Sequence, residues 1–473
     1  MAIKFGTDGW RAIIGEQYTF DNVRFCSQGT ALLLKQQGLD KKKFLIGYDS
    51  RFSSEKFARS VAEVMSGNGI KILLSDRVVP TPVISYNIVN RNAGGGVVIT
   101  ASHNAADWNG YKFKPDYGGS ATPEVVSLLE SHIREVEMTG EVNRMDLEEA
   151  KSKGLLEEFN PEIAYMSHIQ NIIDIEMIRK SGLKVVVDSM HGAGSGYLNK
   201  LLSGLTAEII EMRSDINPAF PGMLQPEPLG HNLSNLKLTV KSQNADVGLA
   251  TDGDADRLGV VDENGEFVTT LDVFALLCLH HLEVLGLRGP LVRSITMTSM
   301  VDKLGELYDV PVFDTPVGFK YLGPVMVEKD ALLAGEESGG YAFQGNIPER
   351  DGILSGLMLL DMMVRTGKNI SELLLDLRQK IGPHYYCRSD IKFDPVKRTA
   401  IEDRLSTVRP SHLGGKLVSH VDNRDGLRYE LQEGYWAMVR FSGTEPILRI
   451  YAEADSLESS KQLLDDVATL IEL

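Results

Sequence analysis

Three carboxylates stand two residues apart in Asp252-Gly253-Asp254-Ala255-Asp256, with Arg257 directly after them. Carboxylates so close cannot all stay ionised without a cation among them, and an all-oxygen donor set selects Mg²⁺, Mn²⁺ or Ca²⁺. Apolar runs on both sides, Val247–Thr251 and Leu258–Val261, argue against a merely solvated acidic turn. Asp252, Asp254 and Asp256 are therefore read as metal ligands. With Glu263 they also match the acidic spacing of an EF-hand loop, but Arg257 stands where that loop needs glycine and the flanks read as strands, which excludes it.

A second group follows an apolar strand. Val97-Val98-Ile99-Thr100 runs into Ala101-Ser102-His103-Asn104, with Asn109-Gly110-Tyr111-Lys112 close behind. A hydroxyl at such a turn, with His103 and Lys112 near it, suits a nucleophile or phosphoryl carrier, because positioned cations offset charge on a transferring group. The plainer alternative is a turn whose Ser102 and Asn104 only satisfy backbone. Gly335-Glu336-Glu337-Ser338-Gly339-Gly340 combines close backbone approach with a carboxylate and a hydroxyl, a composition suited to sugar hydroxyls; its alternative is an ordinary glycine-rich loop before a helix. Arg440, Ser442, Gly443 and Thr444 offer a guanidinium fork, hydroxyls and free N–H groups, the makings of a phosphate nest or of a plain hairpin turn. Gly192-Ala193-Gly194-Ser195-Gly196 misses the dinucleotide fingerprint at Tyr197 and reads as a strand-to-helix turn.

Three stretches must carry these groups on similar scaffolds. Phe44–Ile46, a turn at Asp49–Ser54, a helix near Glu55–Met65 and Ile70–Leu74 form one strand–helix–strand unit. Lys184–Val187, Tyr197–Leu202 and Ala207–Met212 form a second, and Leu291–Ile295, Met300–Tyr308 and Val310–Phe313 a third. The fold class expected is α/β, three similar domains with mixed, mostly parallel sheets. Strands near Lys416–His420, Arg428–Leu431, Tyr435–Phe441 and Ile447–Glu453, a turn at Asp425-Gly426 and a closing helix from Leu457 predict a C-terminal α+β domain. The expected domains span 1–155, 156–266, 267–385 and 386–473.

The length of 473 residues suits several domains, and 43% hydrophobic with 24% charged residues excludes disordered, collagen-like and coiled-coil classes. With 49 Lys+Arg against 65 Asp+Glu the net charge is −16, a poor surface for nucleic-acid phosphate or anionic lipid. Cys26, Cys278 and Cys387 form no C-x-x-C pair, which excludes a disulfide framework and a zinc site and fits a reducing compartment. No signal-like apolar segment opens the chain and no run is long enough to cross a bilayer, so a soluble cytoplasmic protein is expected.

Taken in order, the motifs resemble the α-D-phosphohexomutase superfamily of phosphoglucomutases and phosphomannomutases. The resemblance runs through Phe5-Gly6-Thr7-Asp8-Gly9-Trp10-Arg11, Asp49-Ser50-Arg51-Phe52-Ser53-Ser54, the serine loop, the aspartate loop, the Gly335 loop and the Arg440 loop. It implies four domains around a central cleft, one loop from each. It implies Ser102 as the phosphoserine, Mg²⁺ held by Asp252, Asp254, Asp256 and a phosphoserine oxygen, and Lys112 as a general acid/base candidate with Arg11 and His103 near. Arg257 would support the reacting centre, Glu336 and Ser338 would hold sugar hydroxyls, and Arg440, Ser442, Gly443 and Thr444 would clamp the other phosphate.

Thr315-Pro316-Val317-Gly318-Phe319-Lys320 is similar to a specificity loop of the phosphoglucomutase branch, which adds Thr315, Gly318 and Lys320 as substrate contacts. Many phosphomannomutases and phosphoglucosamine mutases have histidine where this chain has Gly340, and the family's usual proline after Ser-His-Asn is Ala105 here. The implied activity is interconversion of glucose 1-phosphate and glucose 6-phosphate, with glucose 1,6-bisphosphate as activator and a monomer or homodimer as the working form. Alternatives are a phosphomannomutase, a bifunctional enzyme, a phosphoglucosamine mutase, or a metal-dependent phosphatase using Asp252. Arg11, Lys112, Arg257, Lys320 and Arg440 with a divalent ion predict a positive cleft in a negative shell.

Overall fold

The computed structural model describes residues 3–441 and 447–471. Its first sheet takes β1 (Trp10–Ile13), β2 (Phe44–Tyr48), β3 (Ile72–Ser75), β4 (Gly95–Ile99), β5 (Trp108–Pro115) and β6 (Leu156–Phe159) in the order β1-β5-β4-β2-β3-β6. The second takes β7 (Lys184–Asp188), β8 (Glu208–Met212), β9 (Val247–Thr251), β10 (Leu258–Asp262) and β11 (Phe267–Val268) in the order β11-β10-β9-β7-β8. The third takes β12 (Leu291–Ser294), β13 (Val312–Thr315), β14 (Leu333–Glu336) and β15 (Gly340–Phe343) in the order β13-β12-β14-β15.

One unit repeats in all three sheets. A strand–helix–strand pair runs parallel (β2/β3, β7/β8, β12/β13), a third strand joins the first in parallel (β4, β9, β14), and a fourth returns antiparallel to it (β5, β10, β15). The first-domain serine loop, the aspartate loop and the Gly335 loop are the turn between the third and fourth strands of this unit, once in each domain. The Gly335 loop thus leads into a strand, not into a helix.

Two strands fall outside the boundaries that the sequence suggests. β6 lies past residue 155 but pairs with β3 in the first sheet, and β11 lies past 266 but pairs with β10 in the second. The fourth sheet is antiparallel throughout, with β16 (Tyr385–Lys392), β17 (His412–Leu413), β18 (Lys416–Asp422), β19 (Leu427–Leu431), β20 (Trp436–Phe441) and β21 (Ile447–Ala454). The closing helix covers Leu457–Leu470, started by Ser456, whose hydroxyl accepts from Ser459 N.

The strands of the first three sheets are buried along nearly every residue where helices cover both faces, which is why β2, β4, β9 and β10 read as continuous apolar runs. One core joins residues of all three α/β domains, among them Leu45, Val83, Tyr165, Val185, Leu249, Phe274 and Leu357. The fourth domain has its own core and meets the third through Ile295, Trp436, Met438 and Tyr451. No helix among the described residues is long and apolar enough to cross a membrane.

Candidate active site

Ser102 follows β4 with a left-handed backbone, φ 54°, an uncommon conformation for a residue with a Cβ. Its N–H donates to Thr100 Oγ1 at 2.8 Å, and its hydroxyl donates to Asp252 Oδ2 at 2.8 Å. His103 Nδ1 lies 3.5 Å from the same hydroxyl. Burial and then the charges of Arg257, Arg11, Lys112 and Arg51 hold His103 well below the usual imidazole range, so a neutral ring stands beside Ser102. Arg11 Nη1 donates to Asn104 Oδ1 at 3.0 Å, which brings it onto the same loop.

The aspartate loop approaches from the second domain. A Cβ on Gly253 would stand 2.4 Å from Ser102 O, so glycine is needed for the two loops to touch. Asp252 Oδ1 accepts the N–H groups of Asp256 and Arg257 at 3.0 and 3.2 Å, which ties the loop to itself. Oxygens of Asp252, Asp254 and Asp256 lie within 4.8 Å of one another, all three residues buried. Asp254 Oδ1 and Asp256 Oδ1 are buried with no hydrogen-bond partner among the described residues. Hard oxygen donors, clustered and partly unsatisfied, fit a divalent cation such as Mg²⁺. Burial, with Asp256 and Asp254 beside it, pushes the Asp252 carboxyl well above its ordinary value, a mark of carboxylates crowded together.

Lys112 closes the triad from the first domain. Its ammonium lies 2.7 Å from Asp254 Oδ2, 2.9 Å from Asp256 Oδ2 and 3.0 Å from Asp8 Oδ2. Burial alone would lower it, but these three carboxylates outweigh burial and hold it protonated. Burial likewise works against the Asp254 carboxylate, and Lys112 with the Thr81 hydroxyl, 2.6 Å from Asp254 Oδ2, carries it below its usual value. Arg257 Nη1 reaches Glu227 Oε1 at 3.3 Å, and His103 Nε2 lies 3.9 Å from that oxygen.

On the third domain Glu336 Oε1 accepts from Ser338 Oγ at 2.8 Å and from Arg350 Nη1 at 3.0 Å. Arg350 also pairs with Asp256 Oδ2 at 3.0 Å, with Glu349 at 3.2 Å, and with Asp8. A Cβ on Gly340 would stand 2.3 Å from Arg350 Cδ, so the space a side chain at 340 would take belongs to Arg350. Lys114 links Glu349 at 2.6 Å to Asp8 at 3.1 Å. In this connected network the carboxylates of Asp8, Asp254, Asp256, Glu336 and Glu349 face Lys112, Lys114 and Arg350.

Thr315 ends β13 with its hydroxyl donating to Pro316 O at 2.9 Å. Gly318 has φ 122°, and a Cβ there would meet Thr7 Cγ2 at 2.6 Å, so this loop packs on the first motif of the chain. Lys320 is half-buried; burial lowers its pKa, Asp425 and Asp8 work against that, and Arg440 adds to it. Arg440 Nε pairs with Asp425 Oδ1 at 2.9 Å, while Asp425 Oδ2 accepts from Val317 N at 3.0 Å and joins the two domains. Ser442, Gly443 and Thr444 lie outside the described residues.

The structure therefore joins Ser102, His103, Arg11, Lys112, Asp252, Asp254, Asp256, Arg257, Glu336 and Ser338 through direct contacts or one intermediary. Asp8, Thr81, Glu227, Glu349 and Arg350 are the members that sequence reasoning missed. Only Glu349-Arg350, which with Asp351 make three successive charges between Ile347-Pro348 and Gly352-Ile353, carried a local signal, since adjacent charges in an apolar setting point to buried pairing.

Comparison with known proteins follows this geometry. Residues 2–139, 163–265 and 271–381 match the phosphoglucomutase/phosphomannomutase α/β/α domains I, II and III, and residues 396–470 match the C-terminal domain of the same family. A phosphoglucomutase/phosphomannomutase of Thermococcus kodakarensis is 31% identical over 99% of this chain and 98% of its own. A Pyrococcus horikoshii protein described as a probable phosphoglucosamine mutase is 32% identical over 99% and 97%. A crystal structure from Thermus thermophilus superposes with a TM-score of 0.87 at 31% identity, covering all of both chains. The chain belongs to the phosphoglucomutase/phosphomannomutase family of the α-D-phosphohexomutase superfamily, isomerase-type phosphotransferases acting on hexose phosphates.

Proposed function

We propose that this chain is a phosphoglucomutase that interconverts glucose 1-phosphate and glucose 6-phosphate through a phosphorylated Ser102 and glucose 1,6-bisphosphate. The observation that carries this reading is the Ser102 hydroxyl, 2.8 Å from Asp252 in a cluster of buried carboxylates with unpartnered oxygens. In the first transfer the Ser102 Oγ–P bond breaks as a bond forms between phosphorus and the free sugar hydroxyl, whose proton leaves. The bisphosphate turns over, and its other phosphate returns to Ser102. Neutral His103 can take a proton; Lys112, held protonated, can give one or neutralise charge. Asp252, Asp254 and Asp256 would hold Mg²⁺, which when bound offsets charge on the transferring group. Glu336 and Ser338 present an acceptor and a hydroxyl that can serve both orientations of the sugar, and Arg440 is the described member of the distal phosphate clamp. Glucose 1,6-bisphosphate acts as activator because it phosphorylates Ser102.

Gly340, whose space is filled by Arg350 and not by an imidazole, supports glucose over mannose. A specific observation favours a second reading: several relatives of about 30% identity along nearly the whole chain are described as probable phosphoglucosamine mutases. A phosphatase using Asp252 has less support, because Asp252 already accepts from two backbone N–H groups and from Ser102. One chain supplies every loop of the site, so a monomer suffices. Free cysteines, two of them buried, support a reducing compartment, the cytoplasm. Turnover of glucose, mannose and glucosamine 1-phosphates side by side, with Mg²⁺ and the matching 1,6-bisphosphate, tests the substrate. Glucose 1-phosphate should be turned over fastest, and a faster reaction of glucosamine 1-phosphate would transfer the assignment to the second reading.

A further inference from the structure

The loop that carries Ser102 is irregular backbone in a buried setting, so its carbonyl groups need partners. Three of them, with that of Trp108 at the start of β5, share one. Arg51 Nη2 donates to Ser102 O and Asn104 O, each at 2.6 Å, and Arg51 Nη1 donates to Ala105 O at 2.7 Å and Trp108 O at 3.1 Å. The guanidinium is itself fixed: Nε faces Asp49 Oδ2 at 3.1 Å, and the Phe220 ring of the second domain lies 5.0 Å from its central carbon. Asp49 Oδ1 meanwhile accepts from Arg51 N at 3.0 Å and from Ser54 Oγ at 2.8 Å, which fixes the turn after β2. Arg51 and Asp49 are both fully enclosed.

Resting on the reading of Ser102 as the phosphoryl carrier, we propose that Arg51 is the positioning residue of the phosphoserine, holding Ser102 in its left-handed backbone so that its oxygen meets the aspartate loop. A non-glycine residue stays in that conformation only where its surroundings over-determine it, and four carbonyl anchors from one rigid fork do so. Lysine cannot replace them, since a single ammonium offers three donors from one point. The second domain shows the contrast. Asp188 Oδ1 accepts from Met190 N at 3.0 Å in the same turn after β7, but its partner Arg213 comes from the chain beyond β8 and donates to no carbonyl of a functional loop. The arginine within the turn, reaching across to the serine loop, belongs to the first domain alone.

The test compares Arg51→Lys with the wild type in the full chain, measuring kcat, KM for glucose 1-phosphate, and the rate at which glucose 1,6-bisphosphate phosphorylates Ser102, followed by intact mass and peptide mapping. A misplaced nucleophile should lower kcat about 10²-fold and slow phosphorylation in step, with KM within about twofold and a cooperative melt retained. Should Arg51→Lys fail to fold, Asp49→Asn serves instead: its amide turned towards Nε swings the fork aside and should lower kcat and the phosphorylation rate together, KM again steady. Wild-type kcat and phosphorylation rate in a folded Arg51→Lys, or in Asp49→Asn where that variant is the one read, overturn the proposal. So does a loss in which KM rises as far as kcat falls. Absence of phosphate on Ser102 of active wild-type protein would overturn the Ser102 reading and this inference with it, whereas phosphorylated wild type beside an unchanged variant overturns the inference alone.

Discussion

At the scale of single residues, Gly340 and Thr81 make the sharpest claims. Gly340→Ala sets a Cβ 2.3 Å from Arg350 Cδ, and either Arg350 leaves Glu336 and Asp256 or β15 shifts. Overpacking of this kind costs about 1–3 kcal/mol, so a lower melting midpoint and at least about tenfold lower kcat are expected, read by calorimetry and steady-state kinetics. Thr81→Val removes the hydroxyl that fixes Asp254 Oδ2 and should weaken divalent-ion binding about tenfold, measured by Mn²⁺ titration of the resting protein as well as by the Mg²⁺ dependence of turnover. Thr81→Ser, which keeps the hydroxyl, should bind as the wild type does. The aspartates and Ser102 were legible in the sequence because they cluster in short motifs after apolar runs. Thr81 and Glu227 were not, because each reaches the site from a different part of the chain and only the fold makes them neighbours.

At the scale of elements, the strand–helix–strand units were legible, and all three pairs do run parallel. The direction of their fourth strands was not: β5, β10 and β15 return antiparallel, so the shared position of the three functional loops emerges only from strand order. The helix Gly352–Thr366 carries the next prediction. Its N-cap Asp351 accepts from Leu354 N and Tyr165 Oη, both at 2.9 Å, and from Asn346 Nδ2 at 3.1 Å. Burial, against these hydrogen bonds, pushes its pKa up to about 6. The folded state therefore holds this proton more tightly than the unfolded chain; the stability so gained is complete below the ordinary carboxylate value and is lost as pH rises through about 6. Asp351→Asn keeps an oxygen for Leu354 N and removes the titration. Its melting midpoint should exceed that of the wild type at pH 7.5 and converge with it near pH 4.5, in parallel thermal scans. Asp351→Ala loses the cap as well and should cost about 1 kcal/mol at either pH.

At the scale of the whole molecule, one buried carboxylate helps hold the fourth domain to the third. Glu453, buried on β21, accepts from Ser299 N at 2.9 Å, Ser299 Oγ at 2.5 Å and Trp436 Nε1 at 3.3 Å, and Arg428 stacks 4.2 Å over Trp436 and donates to Ile295 O. Glu453→Gln should loosen this docking, giving an earlier red shift of Trp436 emission on heating in a background where Trp10 and Trp108 are phenylalanine. The net charge of −16 was legible at once, but its bearing on the site was not, because Lys112, Arg257, Arg350 and Arg440 each have a carboxylate partner. With Mg²⁺ bound the cleft should still attract a phosphate dianion, so KM for glucose 1-phosphate should rise as salt increases while kcat holds; a falling KM would mark a repulsive cleft. The buried lysines of β5 also set an order on synthesis. Lys112 and Lys114 share only Asp8 within their own domain, and the carboxylate that answers Lys114 in full is Glu349, which leaves the ribosome more than two hundred residues later. At ordinary elongation rates that is a delay of about 10–50 s. Until Asp254 and Asp256 follow, the newborn first domain carries two ammonium groups that share one carboxylate, and until Glu349 follows Lys114 has only its share of Asp8, so the interior of the first domain is completed only when the third has been made.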